Sequence, residues 1–209
     1  MFYLGRKEES KKTFERAQAL FETAPVGRQD KREMGRILVN SMVVYLSNNE
    51  LEEAETRLAK CLELNRQFGD RRRAASARGF EAILLHKQGR ELEARDVMLD
   101  AIEQHHKVDS WRELANEVPT YLWMIDPRFD GDLSRTEEMT SLPEQVRSCV
   151  DHFLRTEELG VFLAFWKERF KPLVLDGGVP SAGHPKPVPK KQNIKPRRKN
   201  QTRTPPARG

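Results

Sequence analysis

Residues Asn49–Leu64 read NELEEAETRLAKCLEL, and forty residues later Gly89–Gln104 read GRELEARDVMLDAIEQ. Each stretch opens on a turn residue, Asn49 or Gly89. A small residue follows five positions on (Ala54, Ala94), a large apolar one four further (Leu58, Met98), and another small one three beyond that (Cys61, Ala101). Steps of three and four put these side chains on one face of a helix. The small residues let a second helix come close, and the large one fills the space beside them. A third stretch, Gly5–Leu20, fits the same template without gaps through Ser10, Phe14 and Ala17. A pattern recurring at a fixed period marks an array of units, each too small to bury its apolar face alone.

Working outward, the segments that precede the turns, Asp30–Ser47 and Asp70–Gln88, are predicted to be the partner helices. Leu, Glu, Ala, Arg and Lys dominate the region, all strong helix formers, and strand-type alternation is absent. Asp30–Glu33 and Ser141–Glu144 read as capping boxes, and Asn49, Asp70 and Asp109 as N-caps. Asp109–Ile125 reads as a further helix that Pro119 should kink or split. Asp-Pro and Asp-Gly dipeptides predict a loop over Asp126–Thr140. Two helices are expected after it, near Pro143–Leu154 and Glu157–Phe170. The second is very apolar, and its Phe162, Phe165 and Trp166 side is expected to cover the open face that an end repeat presents. Helix should stop at Pro172 or at Gly177-Gly178.

The turn–small–large–small pattern resembles the second helix of a tetratricopeptide repeat. Offsets of 44 and 40 residues between the stretches, with Phe68-Gly69-Asp70-Arg71-Arg72 and Gln88-Gly89-Arg90 at the turns, are similar to the long variants of that repeat in bacterial regulators and eukaryotic adaptors. The resemblance spans roughly residues 4–125. It implies an all-α, right-handed α-solenoid of antiparallel helix pairs whose first helices line a concave groove for a peptide or helix. Carried over by position, that groove takes Arg36, Val39, Val43, Gly79, Ile83, His86 and Lys87. Val39 and Gly79 depart from the Lys and Asn set with which some members clamp a C-terminal carboxylate. Val39, Val43 and Ile83 read equally as helix–helix core. The division expected is repeats over 1–125, a loop over 126–141, capping helices over 142–176 and a tail over 177–209. The first repeat begins at its turn, so the expectation there is either a longer array or a homo-oligomer closing that face.

Of the 209 residues 33% are charged, and the net charge is +5. The charge is unevenly placed. Residues 177–209 hold nine Lys and Arg, no Asp or Glu, and seven prolines. Subtracting the tail's +9 from +5 leaves the body at −4. So basic and apolar-poor a tail cannot offset its chain entropy by burial and is expected to be disordered. Its clusters are Lys190-Lys191 and Lys195, Arg197, Arg198 and Lys199. They would serve as a nuclear-import signal, a phosphate-backbone contact or a dock for an acidic surface. The longest run without a polar side chain, Leu159–Trp166, is too short to cross a bilayer, which takes roughly 20 residues. Met1–Lys12 has no secretory signature.

Chemistry is sparse. None of His86, His105, His106, His152 and His184 falls in a metal-binding motif, and His105-His106 point to different faces of a helix. They read as ordinary exposed or half-buried histidines. Cys61 and Cys149 form neither a disulfide framework nor a zinc knuckle. The Arg71-Arg72-Arg73 cluster reads as a solvated turn. No catalytic residue, cofactor or metal is nominated. The expectation is a non-enzymatic protein–protein interaction module, a scaffold or adaptor of the cytoplasm (or of the nucleus, if the source is eukaryotic). Two alternatives stand beside it: a nucleic-acid-associated protein holding RNA or DNA through its basic tail, and a regulatory fragment of a larger regulator.

Overall fold

The structure is a computed structural model and describes residues 7–25, 30–138, 141–156 and 159–176. Among these residues the chain is all-α. Six helices follow one another: α1 (Lys7–Thr23), α2 (Lys31–Ser47), α3 (Leu51–Phe68), α4 (Arg71–Lys87), α5 (Glu91–His106) and α6 (Trp111–Ile125). A 3₁₀ turn (Leu133–Glu138) then leads to α7 (Glu144–Arg155) and to α8 (Leu159–Phe165), which runs on as a π-helical segment, Trp166–Leu175.

Very short turns join α2 through α6, so each helix must fold back on the one before it, and each packs against its sequence neighbour. The turns have a common construction. Asn49, Gly69, Gly89 and Asp109 all adopt left-handed backbone, with φ between 51° and 77°, and stand twenty residues apart. Gly, Asn and Asp are the residues that tolerate this conformation at a helix C-terminus. Asn49 and Asp109 therefore terminate helices rather than cap the next ones, whose N-caps are Glu50 and Ser110. Asp70 does cap α4, accepting from the Arg73 amide at 3.0 Å. Asp30 caps α2 through Arg32 N–H at 2.9 Å, while Glu33 pairs with Arg36 instead of closing a box. At α7 the N-cap is Pro143, with no side-chain cap.

The small positions pack as their spacing requires. Ala54, Cys61, Ala94 and Ala101 are all buried, with Leu58 and Met98 between them. Ala54→Leu or Ala94→Leu should each lower stability by roughly 1–3 kcal/mol through overpacking, read in urea melts. Two variants melting like the parent would refute the packing described. In α1 the corresponding Ser10, Phe14 and Ala17 are only half-buried. That helix packs on α2 and is tied down largely by polar contacts: Lys11 to Glu50, Arg57 to Gln18 and Lys60 to Glu22. The Arg57 guanidinium also lies 4.2 Å over the buried Tyr45 ring.

Helical structure passes both interior prolines and ends before Gly177-Gly178 as expected; of the kink or split expected at Pro119, the split does not occur. α6 runs unbroken through Pro119, because Leu114, Ala115, Val118 and Leu122 are wholly buried around it. Their burial offsets the roughly 3 kcal/mol of an interior proline. Helical structure also continues past Pro172 to Leu175. A π turn closes i→i+5 bonds, and its wider winding takes the carbonyl four residues back away from the proline ring. The loop expected over 126–141 contains the 3₁₀ turn, with Phe129, Leu133 and Thr136 buried.

Candidate functional site

α2 and α4 touch directly. α4 is tied to α6 by Arg72 Nη2 donating to Glu113 Oε1 at 2.8 Å. These three helices form one layer, and the π segment lies against all three of them. Its Trp166 is fully buried and donates Nε1–H to Thr120 Oγ1 of α6 at 2.9 Å. The ring also meets Phe129 at 5.7 Å and Gly131. Lys171 Nζ sits 5.5 Å over Trp123 and 5.8 Å over Trp166. The wide π winding explains how Trp166, Phe170 with Lys171, and Val174 with Leu175 share one face. Phe165, expected to dock, is instead 47% exposed, since α8 ends there and Trp166 takes the inward position.

Beside Phe170 the layer leaves a cleft of about 500 Å³. Arg36, Val39 and Asn40 of α2, Ser76, Gly79, Phe80 and Ile83 of α4, and Arg112, Glu113, Asn116, Glu117 and Thr120 of α6 line it. The lining repeats at an interval of forty: Arg36, Ser76 and Asn116 are one series, and Asn40, Phe80 and Thr120 another. Of the residues nominated from sequence, Arg36, Val39, Gly79 and Ile83 are brought together here. Val43 is half-buried against the core. His86 stands edge-on to Trp123 at 5.0 Å and bonds Glu91 at 2.8 Å. Lys87 is half-buried beyond the cleft. The α6 residues were missed because the positions were carried from α2 to α4 and no further; two steps of forty from Arg36 reach Asn116, whereas Thr120 stands in series with Asn40 and Phe80, which were not nominated. The basic residues Lys190, Lys191, Lys195, Arg197, Arg198 and Lys199 lie outside the described residues.

The cleft wall hides a polar pair that sequence reading passed over as an ordinary histidine. His105 of α5 is fully buried, with Nδ1 2.8 Å from Glu117 Oε2. Its Nε2 faces the Arg72 carbonyl at 3.1 Å and Ser76 Oγ at 3.3 Å. Ser76 already donates to that carbonyl, so both partners of Nε2 accept and Nε2 must carry hydrogen. One further proton is then held between Nδ1 and Oε2. The other carboxylate oxygen of Glu117 lies 2.7 Å from where a side chain on Gly79 would begin, so only glycine leaves room for it.

Burial by itself would lower the His105 pKa, but the Glu117 carboxylate, joined by the Arg72 carbonyl and Glu113, outweighs it and raises the ring above 6.5. Burial likewise pushes Glu117 above the usual carboxylate value, against the pull of His105. Both shifts mean that the folded chain keeps a proton the unfolded chain releases. Stability should therefore fall as pH rises above 6.5, by up to about 1.4 kcal/mol per pH unit until the pair deprotonates. In Glu117→Gln the amide donates to a neutral Nδ1, and this dependence should vanish. Equal slopes for parent and variant in urea melts between pH 6 and 9 would refute the shared proton.

The thiols are chemically quiet: burial pushes Cys61 up to about 11 and Cys149 up to about 12. Among the described residues no three His, Cys, Asp or Glu side chains gather as metal ligands. No described helix is long and apolar enough to cross a membrane. The arginine cluster is partly spoken for, with Arg72 on Glu113 and Arg73 on Asp70 and the Arg32 carbonyl. No protein-family model, curated protein or solved structure matches the chain.

Proposed function

We propose that the chain is a non-enzymatic interaction module, built on tetratricopeptide-like helix pairs, that takes a peptide or helix into the cleft between α2, α4 and α6. The cleft lining carries this reading. The half-buried Val39 and Phe80 offer apolar anchors, which supply most of the energy in such interfaces. Arg36, Arg112, Glu113 and Glu117 surround them with charge of both signs, which selects partners by complementarity. A catalytic role for the buried acid–base pair is disfavoured, because both His105 nitrogens are engaged within the protein.

The test is to pan a displayed peptide library against the full-length chain. Peptides whose affinity drops by about tenfold or more in Val39→Asp would support the reading, since an aspartate there removes an anchor and adds a desolvated charge. Recovery of no peptide, or only of peptides indifferent to that change, would overturn it.

A further inference from the structure

The molecule already seats one helical segment on this face, and it is its own. The π segment is joined to α6 only through about forty intervening residues, yet it lies across α2, α4 and α6. We infer that Trp166–Leu175 is a resident ligand of the inner face, displaced by a partner helix that presents the same side chains. Such a partner carries an aromatic residue, a second aromatic with a following base four and five positions on, and an aliphatic pair eight and nine positions on. That is the chemistry of Trp166, Phe170, Lys171, Val174 and Leu175. The inference rests on the cleft being a binding surface and names what the surface selects.

Three features favour a displaceable strap over a fixed part of the core. First, α8 has only seven residues before its geometry changes to π, and long π runs are rare. Pro172 sits inside the π run and contributes no N–H. Second, the segment is held by few anchors. Trp166, Val174 and Leu175 are buried and Phe170 and Lys171 half-buried, whereas Phe165 and the charged Lys167, Glu168 and Arg169 face solvent. Third, the strap leaves the adjoining 500 Å³ open beside Phe170. An incoming helix can therefore occupy Val39 and Phe80 before the strap has left. Closure in cis raises the effective concentration of the strap to the millimolar range, and a partner in trans sees only the open fraction. Weakening the strap therefore strengthens the partner.

The probe is a fluorescein-labelled peptide of residues 163–176, LAFWKERFKPLVLD, titrated by anisotropy against full-length protein. Wild type, Trp166→Ala and Phe170→Ala are compared, each shown to be helical by circular dichroism. Both strap variants should bind the peptide at least about tenfold more tightly than wild type. Val39→Asp in either background should abolish the gain. Phe170→Ala keeps the buried tryptophan and decides the matter if Trp166→Ala does not fold. A folded strap variant that binds no more tightly than wild type overturns the inference, as does a gain that survives Val39→Asp. Library peptides that bind through Val39 while the strap variants change nothing would leave the binding role standing and remove only the strap. A peptide gain without any library binder would do the reverse.

Discussion

Glu117→Ala should cost about 3–5 kcal/mol of folding stability at neutral pH, because it strands one member of a buried pair. His105 sits on α5 with no exposure and no water-facing edge. Its Nε2–H stays directed at the Arg72 carbonyl and Ser76, so Nδ1 is left without a partner. The alanine also opens a space beside Gly79, where a Cβ would lie 2.7 Å from the present carboxylate. Glu117→Gln should recover most of the loss, since its amide can donate to Nδ1 while filling the same volume. Urea unfolding of the three proteins at pH 7 decides it. If Glu117→Ala stays within about 1 kcal/mol of the parent, the pair is not the buried, mutually dependent unit described.

Trp166→Ala should cost a similar amount, about 3–5 kcal/mol, spent on the docking of α8 and the π segment. The indole is wholly buried, and its N–H satisfies Thr120. Its removal leaves the space between Phe129 and Gly131 empty. The loss should be local. Amide protection in 166–175 should fall about a hundredfold or more, as a difference of 3 kcal/mol requires. Amides of α3 and α5, which pack on other helices of the array, should keep their protection. Unchanged exchange in 166–175 would mean that other side chains hold the segment in place.

How much of this was legible depended on whether a contact was local. Ala54, Leu58, Cys61, Ala94, Met98 and Ala101 announce their burial through helical spacing, and all six are buried. The left-handed turns were half legible. Gly69 and Gly89 stand out, but Asn49 and Asp109 read as N-caps because the same side chains serve both ends of a helix. Their spacing of twenty was the better guide. Of the cleft lining, Arg36, Val39, Gly79 and Ile83 were among the positions carried over by the resemblance. His105 and Glu117 were not, since a pairing between consecutive helices depends on how α5 and α6 rotate against each other. The π segment was the least legible. Aromatic residues at 162, 165, 166 and 170 suit several faces of an ordinary helix, and only the change in winding selects Trp166 over Phe165.

The strap also imposes an order on the birth of the molecule. It is the last of the described elements to be synthesised, and about 120 residues separate the end of α2 from Trp166. At the usual pace of a ribosome that is about 6–24 s during which the nascent helix pairs can form while nothing of their own covers them. Val39 is open through that interval, and Phe80 from the completion of α4, to a chaperone or to a partner of the proposed kind. A partner met at the ribosome has no competitor to displace, whereas one met after release must unseat Trp166. Complexes assembled during translation would thus form more readily than the same complexes mixed from finished chains.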